Sequence, residues 1–316
     1  MKQIFVSIPL FFIHISLSQG QTSGKELGEK TDTIKYWRWS ATPSVNLNQA
    51  YFSDSWIGGG TNSIAIAGNF DGFAEYSKKR WTWANTLALR YGIIRNKGQE
   101  WRKNLDVIDM ATKVDFKMAR GWRVFLSANH LNQFAPGYRY LGVFDSSGRE
   151  QKTRLSSFCA PCYISENLGV EFRPFSKKEN KPVNWFYANL GLLALRQTLV
   201  IDTTLYKTVP ENYGVAKGKV LRNQLGFSIE LGINKELAKN VNLLFRYRLF
   251  NDYRSILPRD VIHRADFTFS AFVLKFLKIT LTGIMMYDIT MDKRVQWNQA
   301  LALGIGYRFA NFKEKK

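Results

Sequence analysis

Histidine and cysteine are scarce, three of one and two of the other in 316 residues, and no stretch of 18 consecutive apolar residues follows the N-terminal leader. The last absence excludes a transmembrane helix in the mature chain. It leaves an exported soluble protein or a closed membrane barrel, whose strands need only about 9 to 11 residues each. Acidic residues are also few, 25 against 45 Lys and Arg, for a net charge of +20. Such a balance can be the footprint of a nucleic-acid binder, but the N-terminus argues against that partner. Lys2 precedes the apolar run "IFVSIPLFFIHISL" and then the small, polar "SQGQTSG". This is the layout of a secretory signal peptide, with small-x-small cleavage sites at Ser16-x-Ser18 and Ser18-x-Gly20. Residues 1–18 are expected to be removed (cleavage near 18–20), 19–43 to form a polar periplasmic segment, and 44–316 to form the folded domain. An exported chain without a recognisable binding module is not expected to meet nucleic acid.

What the sequence has in abundance is alternation. In "RWTWANTLALRYGI" one face carries Trp81, Trp83, Leu87, Leu89, Tyr91 and Ile93, while the other carries Thr82, Ala84, Thr86, Ala88, Arg90 and Gly92. Period 2 over such a length predicts a strand, because an amphipathic helix needs a period of 3.6. The pattern recurs to the C-terminus and predicts twelve strands, at roughly 44–53, 62–76, 80–94, 105–118, 121–132, 155–173, 183–197, 219–235, 240–251, 261–274, 277–288 and 294–309. Links after even-numbered strands are mostly short, such as "SKKR", "ARG" and "ELAKN". Among those after odd-numbered strands, "NQFAPGYRYLGVFDSSGREQKTR" and "TLVIDTTLYKTVPENYGVAKGK" are the longest.

Short turns at one end, long loops at the other and an even strand count predict an all-β fold: an antiparallel up-and-down transmembrane β-barrel of about twelve strands with periplasmic termini. A soluble β-sandwich would also alternate, but its outer face would be well charged. Here the polar face is rich in Gly, Ala, Ser, Thr and Asn, which suits a crowded interior. Trp81, Trp83, Tyr91, Trp122, Trp185, Trp297, Tyr307 and Phe309 near strand ends suit interfacial girdles.

Several segments resemble a known family. "NLNQAYFSDSWIGGGTNSIAIAGNFDGFAEYSKKRWTWANTLALRYGI", "NQFAPGY" and the C-terminal "ALALGIGYRF" are similar to the barrel-forming family catalogued as domain of unknown function 3078, from Gram-negative bacteria. The similarity rests mainly on Ser53, Trp56, Gly59, Gly60, Asn62 and Ser63. It implies an outer-membrane location and carries over no activity and no catalytic residue.

Chemistry is thin. Some twelve-stranded barrels hydrolyse lipids with a Ser-His or Asp-His arrangement, and here the base would be His130 or His263, since His14 leaves with the leader. Strand parity points both outward near the loop-side rim, so a lipid-modifying acyl hydrolase is the alternative reading and a non-enzymatic barrel the main one. The glycines at 58–60 lack the following helix and G-K-[ST] of a phosphate loop. No cofactor and no metal are expected.

The basic balance has more content. Arg90, Lys113, Lys117, Arg222, Arg246 and Arg248 form a candidate lumen cluster, part of a polar face on which nine positive residues meet five acidic ones. An open lumen so lined would favour small anions, whereas a packed one would pair the charges off. Outer-membrane lipids and lipopolysaccharide are the other expected partners, the latter through basic residues in the long loops.

The cysteines lie in "FCAPCYI". Residues three apart in an extended strand are about 10 Å apart, so Cys159 and Cys162 can form a disulfide only if Pro161 bends the chain. The main expectation is that Cys162 is a small apolar side chain facing lipid or the rim, with Cys159 on the opposite face. A redox dithiol lacks the helix N-terminus that would lower its pKa, and a zinc site with His130 has too few ligands.

Overall fold

A computed structural model describes residues 36–53, 61–176, 181–183, 185–210, 212–238, 240–255, 257–274, 276–289 and 292–311. The leader and the polar segment as far as residue 35 lie outside them.

The alternating segments form strands β1 (Trp37–Ala50), β2 (Ser63–Lys78), β3 (Trp81–Asn96), β4 (Arg102–Ala119) and β5 (Trp122–Asn132). A loop hairpin, β6 (Gly137–Phe144) and β7 (Glu150–Ser156), precedes β8 (Cys162–Phe172). A two-residue pair, β9 (Phe175–Ser176) and β10 (Lys181–Pro182), precedes β11 (Phe186–Leu199). Then follow β12 (Leu221–Ala238), β13 (Val241–Asp252), β14 (Ile262–Phe272), β15 (Leu277–Asp288), β16 (Asp292–Gly306) and β17 (Phe309–Ala310). Twelve of these, β1–β5, β8 and β11–β16, pair antiparallel in a continuous order.

The sheet closes on itself, so no wall strand keeps a bare edge. Ser44 pairs with Gly306 and Asn46 with Gly304, and β17 continues the seam by pairing Ala41 with Phe309. Between β16 and β17 the ladder is interrupted opposite Pro43, which has no N–H to give; its carbonyl still accepts from the Tyr307 amide at 3.2 Å. Both ends of the barrel segment lie at the end with the short turns, as Lys79–Arg80 and Arg120–Gly121 illustrate.

Three boundaries differ from the sequence reading. The barrel begins at Trp37 rather than residue 44, so "WRW" and the residues after it belong to the wall and not to a linker. Period 2 runs through Trp37 and Trp39, but Pro43 and the polar residues that follow Trp39 mask it. The sixth wall strand starts at Cys162 rather than 155, because residues 155–161 are divided between β7 and a tight turn. The link between β5 and β8, read as a plain loop, contains a hairpin whose turn is the "DSSG" stretch at 145–148, with Gly148 at φ +74°.

Face assignment follows from the register. Leu126, Leu168, Leu192, Leu231, Leu301 and Ile305 are exposed on the outer face, whereas Asp115, Glu171, Asp288 and Phe125 are buried in the bore. The core of this molecule is therefore polar, and the apolar surface faces outward. Aromatic pairs band the short-turn end: Trp37 with Trp83, Trp81 with Phe116 and Trp122 with Phe172, with ring centres 5.9, 4.8 and 4.9 Å apart. Toward the loop end, Tyr91 meets Phe134 at 6.3 Å and Tyr247 meets His263 at 6.2 Å. Trp83 and Tyr91 lie on one strand, about 26 Å apart along it and about 20 Å apart along the barrel axis at a tilt of about 40°, close to the roughly 25 Å apolar band of outer-membrane barrels.

Candidate functional site

The bore is filled on one side by long charged side chains, and their positions follow from strand pairing. Arg123 lies directly across from Glu171, and Asp115 across from Phe125. Glu171, fully buried, accepts from Lys113 and from Arg173 Nε at 2.6 Å, with Arg123 Nε at 3.8 Å; Arg123 in turn pairs with Asp115 at 2.8 Å. One carboxylate thus gathers three cations, which a dry interior tolerates only because each charge has a partner.

Higher in the bore, β11 departs from regular alternation. The register shifts at Gly191–Ala194, so that Leu192 and Leu193 both lie on the outer face. This bulge flips the parity of everything beyond it. Arg196, which unbroken alternation would turn outward, instead enters the bore and pairs with the fully buried Asp288 at 3.0 Å. Gly169 faces the bulge, where any Cβ would come within 1.9 Å of the Leu190 carbonyl oxygen, so only glycine fits. Tyr253 Oη donates to the carbonyl of Leu192 at 2.5 Å.

Across β12, β13 and β14 the register builds a grid of charges. Glu230 lies opposite Arg248 and Arg248 opposite Arg264; in the next row Gly232 lies opposite Arg246 and Arg246 opposite Asp266. Asp266 does not serve the arginine it faces. It accepts from Arg264 at 2.8 Å and from Arg248 at 2.8 Å. Glu230 accepts from Asn189 Nδ2 at 3.3 Å.

Asn189, Glu230, Arg246, Arg248 and Arg264 line a cavity of about 320 Å³ inside the barrel, together with Lys113, Asn167, Tyr163 and the apolar Phe125, Phe250, Ile262 and Met286. Of the six candidate lumen residues, Lys113, Arg246 and Arg248 come together here. Arg90 lies apart on β3, paired with Asp71, and Lys117 is exposed at the short-turn end. Arg222 sits on β12 in electrostatic range of Arg196, Asp288 and Asp252 rather than on the cavity wall. The sequence reading missed Arg196, Arg264 and Asp288. The adjacent apolar pair Leu192–Leu193 after Gly191 was the available signal of a bulge.

The opposite side of the bore, built from β15, β16, β1 and β2, is lined mostly by small or neutral residues, with Lys278 and Asp71 as its charged exceptions. Inward-facing Asn48, Ile284, Asn298 and Ala300 are exposed there.

At the loop end, the two longest loops clasp each other. Ala160, Val200, Leu205 and Val215 form a buried cluster against which Tyr213 packs, and Tyr213 Oη donates to the carbonyl of Leu155 at 2.7 Å. Arg154 pairs with Asp202 at 2.7 Å. Cys159 and Cys162 are joined by a disulfide at the base of this cap, with Cα atoms 4.3 Å apart. Cys162 is not the lipid- or rim-facing apolar residue expected from parity; it is buried, because the cap covers the wall where β8 begins. Cys159 has a positive φ of 48°, and Pro161 is cis, so the segment is a turn and not an extended strand.

The histidines lie on the outer face. His130 shares its row with Met110 and Ile164, and His263 with Leu249 and Tyr287; the Tyr247 hydroxyl is 2.7 Å from His263 Nδ1. Neither imidazole is hydrogen-bonded to a serine or a carboxylate among the described residues. Of the motif residues, Trp56, Gly59 and Gly60 lie outside the described residues. Ser53 is exposed, Ser63 opens β2, and Asn62 Oδ1 accepts from the Phe52 amide at 2.6 Å.

The strand pairing defines the class: a closed, twelve-stranded antiparallel β-barrel. The family described as "Protein of unknown function (DUF3078)" matches residues 47–138, which bears out the resemblance over that segment. The translocator domain of autotransporter NalP from Neisseria meningitidis is similar, with 12% identity, 88% of this chain and 90% of that chain covered, and a TM-score of 0.36. The outer membrane channel DcaP of Acinetobacter baumannii gives 9% identity, 86% and 96% coverage and a TM-score of 0.29. Salmonella typhi OmpF in complex with daunomycin gives 9%, 86%, 97% and 0.26. No curated protein matches the chain.

Proposed function

We propose that the chain is an integral outer-membrane barrel, exported through a cleaved signal peptide, that acts as a narrow, anion-favouring pore without enzymatic activity. The observation that carries this reading is the division of the bore. Cations and their partners fill one side, while Asn48, Asn298 and Ala300 on the other side remain exposed. A water path beside a basic wall passes anions more readily than cations.

The outward apolar face with aromatic bands at two levels supports residence in a bilayer. Exposed Arg139, Arg149, Lys152, Lys207, Lys217 and Lys219 in the long loops suit contact with lipopolysaccharide phosphates.

Refolded protein in a planar bilayer under a KCl gradient should show small, steady conductance with a reversal potential of the sign set by chloride. Absence of conductance would overturn the pore and leave a plugged accessory barrel. Release of the protein from membranes by carbonate would overturn both. N-terminal sequencing of the mature chain should begin at residue 19 or 21.

A further inference from the structure

We infer that the cavity on the β12–β14 side of the bore is a binding site for a small organic oxyanion, a carboxylate or a phosphate monoester, with Arg246 as its anchor. The inference rests on the bore being reachable from solvent, as the pore reading requires.

The argument begins with charge. Arg246, Arg248 and Arg264 face two carboxylates, Glu230 and Asp266, so three positive charges meet two negative ones. The odd charge falls on a definite residue. Asp266 is taken by Arg248 and Arg264 together, the latter also donating Nε at 2.9 Å, which leaves Arg246 without the carboxylate directly across from it. Among the described residues Arg246 has no hydrogen bond and no ion pair within 4.0 Å, although the carboxylates of Glu230, Asp266 and Asp109 lie in electrostatic range. A guanidinium so placed needs an acceptor or water, and its planar fork matches a carboxylate or phosphate with two parallel bonds.

The surroundings repeat the demand. Arg248 Nε and Arg196 Nη1 are buried donors with no acceptor, and both arginines line the same cavity. Against these two donors stands one buried acceptor without a donor on the same wall, Asn189 Oδ1, so donors outnumber acceptors among the unpaired groups of the cavity. Lys113, on the facing wall, adds a further cation, already paired with Glu171.

The rest of the wall indicates what accompanies the oxyanion. Phe125, Phe250, Ile262 and Met286 supply apolar surface, and Asn167, Asn189 and Ser228 supply neutral polar groups. At about 320 Å³ the space is at the low end for organic ligands, which fits a molecule of a few carbons better than a bare ion or an extended chain.

The test is calorimetric titration of the full folded chain in detergent with succinate, inorganic phosphate and choline as probes, with folding of each variant checked by heat-dependent gel mobility. Succinate or phosphate should bind saturably and choline should not; whichever of the two binds identifies the oxyanion. Arg246→Gln should weaken binding about tenfold or more, the scale of a lost charge-assisted hydrogen bond. Glu230→Gln should strengthen it several-fold by removing the competing carboxylate. Arg90→Gln, on another strand and already paired with Asp71, should leave it unchanged.

Failure of both anions to bind overturns the site, as does equal affinity in the Arg246→Gln variant. If that variant does not fold, an unchanged affinity in Glu230→Gln overturns it instead. Binding without conductance would keep the site and sink the pore, and conductance without binding would do the reverse.

Discussion

The bore has two walls made of different amino acids. From β4 round to β14 the inward positions carry Lys113, Asp115, Glu171, Arg196, Glu230, Arg246, Arg248, Arg264 and Asp266, mostly paired and largely buried. From β15 through β16 and β1 to β2 they are mostly small or neutral, among them Thr280, Thr282, Asn298, Ala300, Ala302, Gly304, Ser44, Asn46, Ala65 and Ala67, with Lys278 and Asp71, the latter paired with Arg90 of β3, as charged exceptions. The first wall supplies the interactions that hold the interior and the second supplies the space. A barrel of this strand number has a bore wide enough that side chains from one wall need not reach the other. Stability and permeation should then respond to different residues, and substitutions can separate them.

The largest effect should follow Gly169→Val, which puts a side chain where a Cβ would come within 1.9 Å of the Leu190 carbonyl oxygen, so β8 and β11 must part at the bulge. The cost should exceed about 4–5 kcal/mol, the bound on most single substitutions, and the folded, heat-modifiable form should nearly vanish. Deletion of Leu192 should be far milder: with the extra residue gone, Gly191, Leu193, Ala194, Leu195 and Arg196 alternate in, out, in, out, in, and Arg196 still reaches Asp288. A normal yield of Gly169→Val would mean that the two strands accommodate a side chain there and that their close approach is dispensable.

Next comes Glu171→Gln. It leaves Lys113, Arg123 and Arg173 around a neutral amide in the buried wall, at a cost of about 3–5 kcal/mol. The unfolding midpoint in urea should fall clearly. On the opposite wall, Asn298→Ala should stay within about 0.5 kcal/mol, since its side chain is exposed. Similar midpoints for the two variants would erase the distinction between the walls. Ala300→Trp approaches the same distinction from the other direction: stability should hardly change while conductance drops, because a bulky ring enters the open side.

Strand existence, the closed topology and the inward set on β12–β14 were legible because strict period 2 reports which face a residue occupies. The cavity grid is read directly from that parity. Three things were not legible. Arg196 was hidden by the bulge, where one extra residue reverses parity without changing composition. Trp37 and Trp39 were hidden behind Pro43, which reads as a strand breaker but here sits where the seam has no ladder bond to lose. Burial of Cys162 depended on two loops far apart in sequence, 133–161 and 200–220, packing into one cap. The bridge to Cys159 had a local signal in Pro161, but nothing local in "FCAPCYI" encodes the cap that covers it.

The smallest expected effect belongs to that cap and asks whether it moves independently of the walls. Asp202 is held below its ordinary carboxylate pKa first by the Thr204 hydroxyl, which donates at 2.6 Å, with the Thr204 amide and Arg154 adding to the effect against some desolvation. Because the folded value is the lower one, this stabilisation is fully present above the unfolded pKa and is lost as pH falls through the folded value. The hydrogen-exchange protection factors of the amides around 202–209, intrinsic rates at each pH divided by the observed rates, should therefore drop on acidification from about pH 6 to below the normal carboxylate value of about 3.9. Protection of the strand amides of β8 and β11 should hold over the same range. Asp202→Asn keeps an acceptor for Thr204 but removes the charge that meets Arg154, so its loop protection should be lower at neutral pH and nearly flat with pH. If wall and cap amides lose protection together, the clasp is part of the barrel's cooperative unit rather than a separable lid, and the division that matters runs along the bore alone.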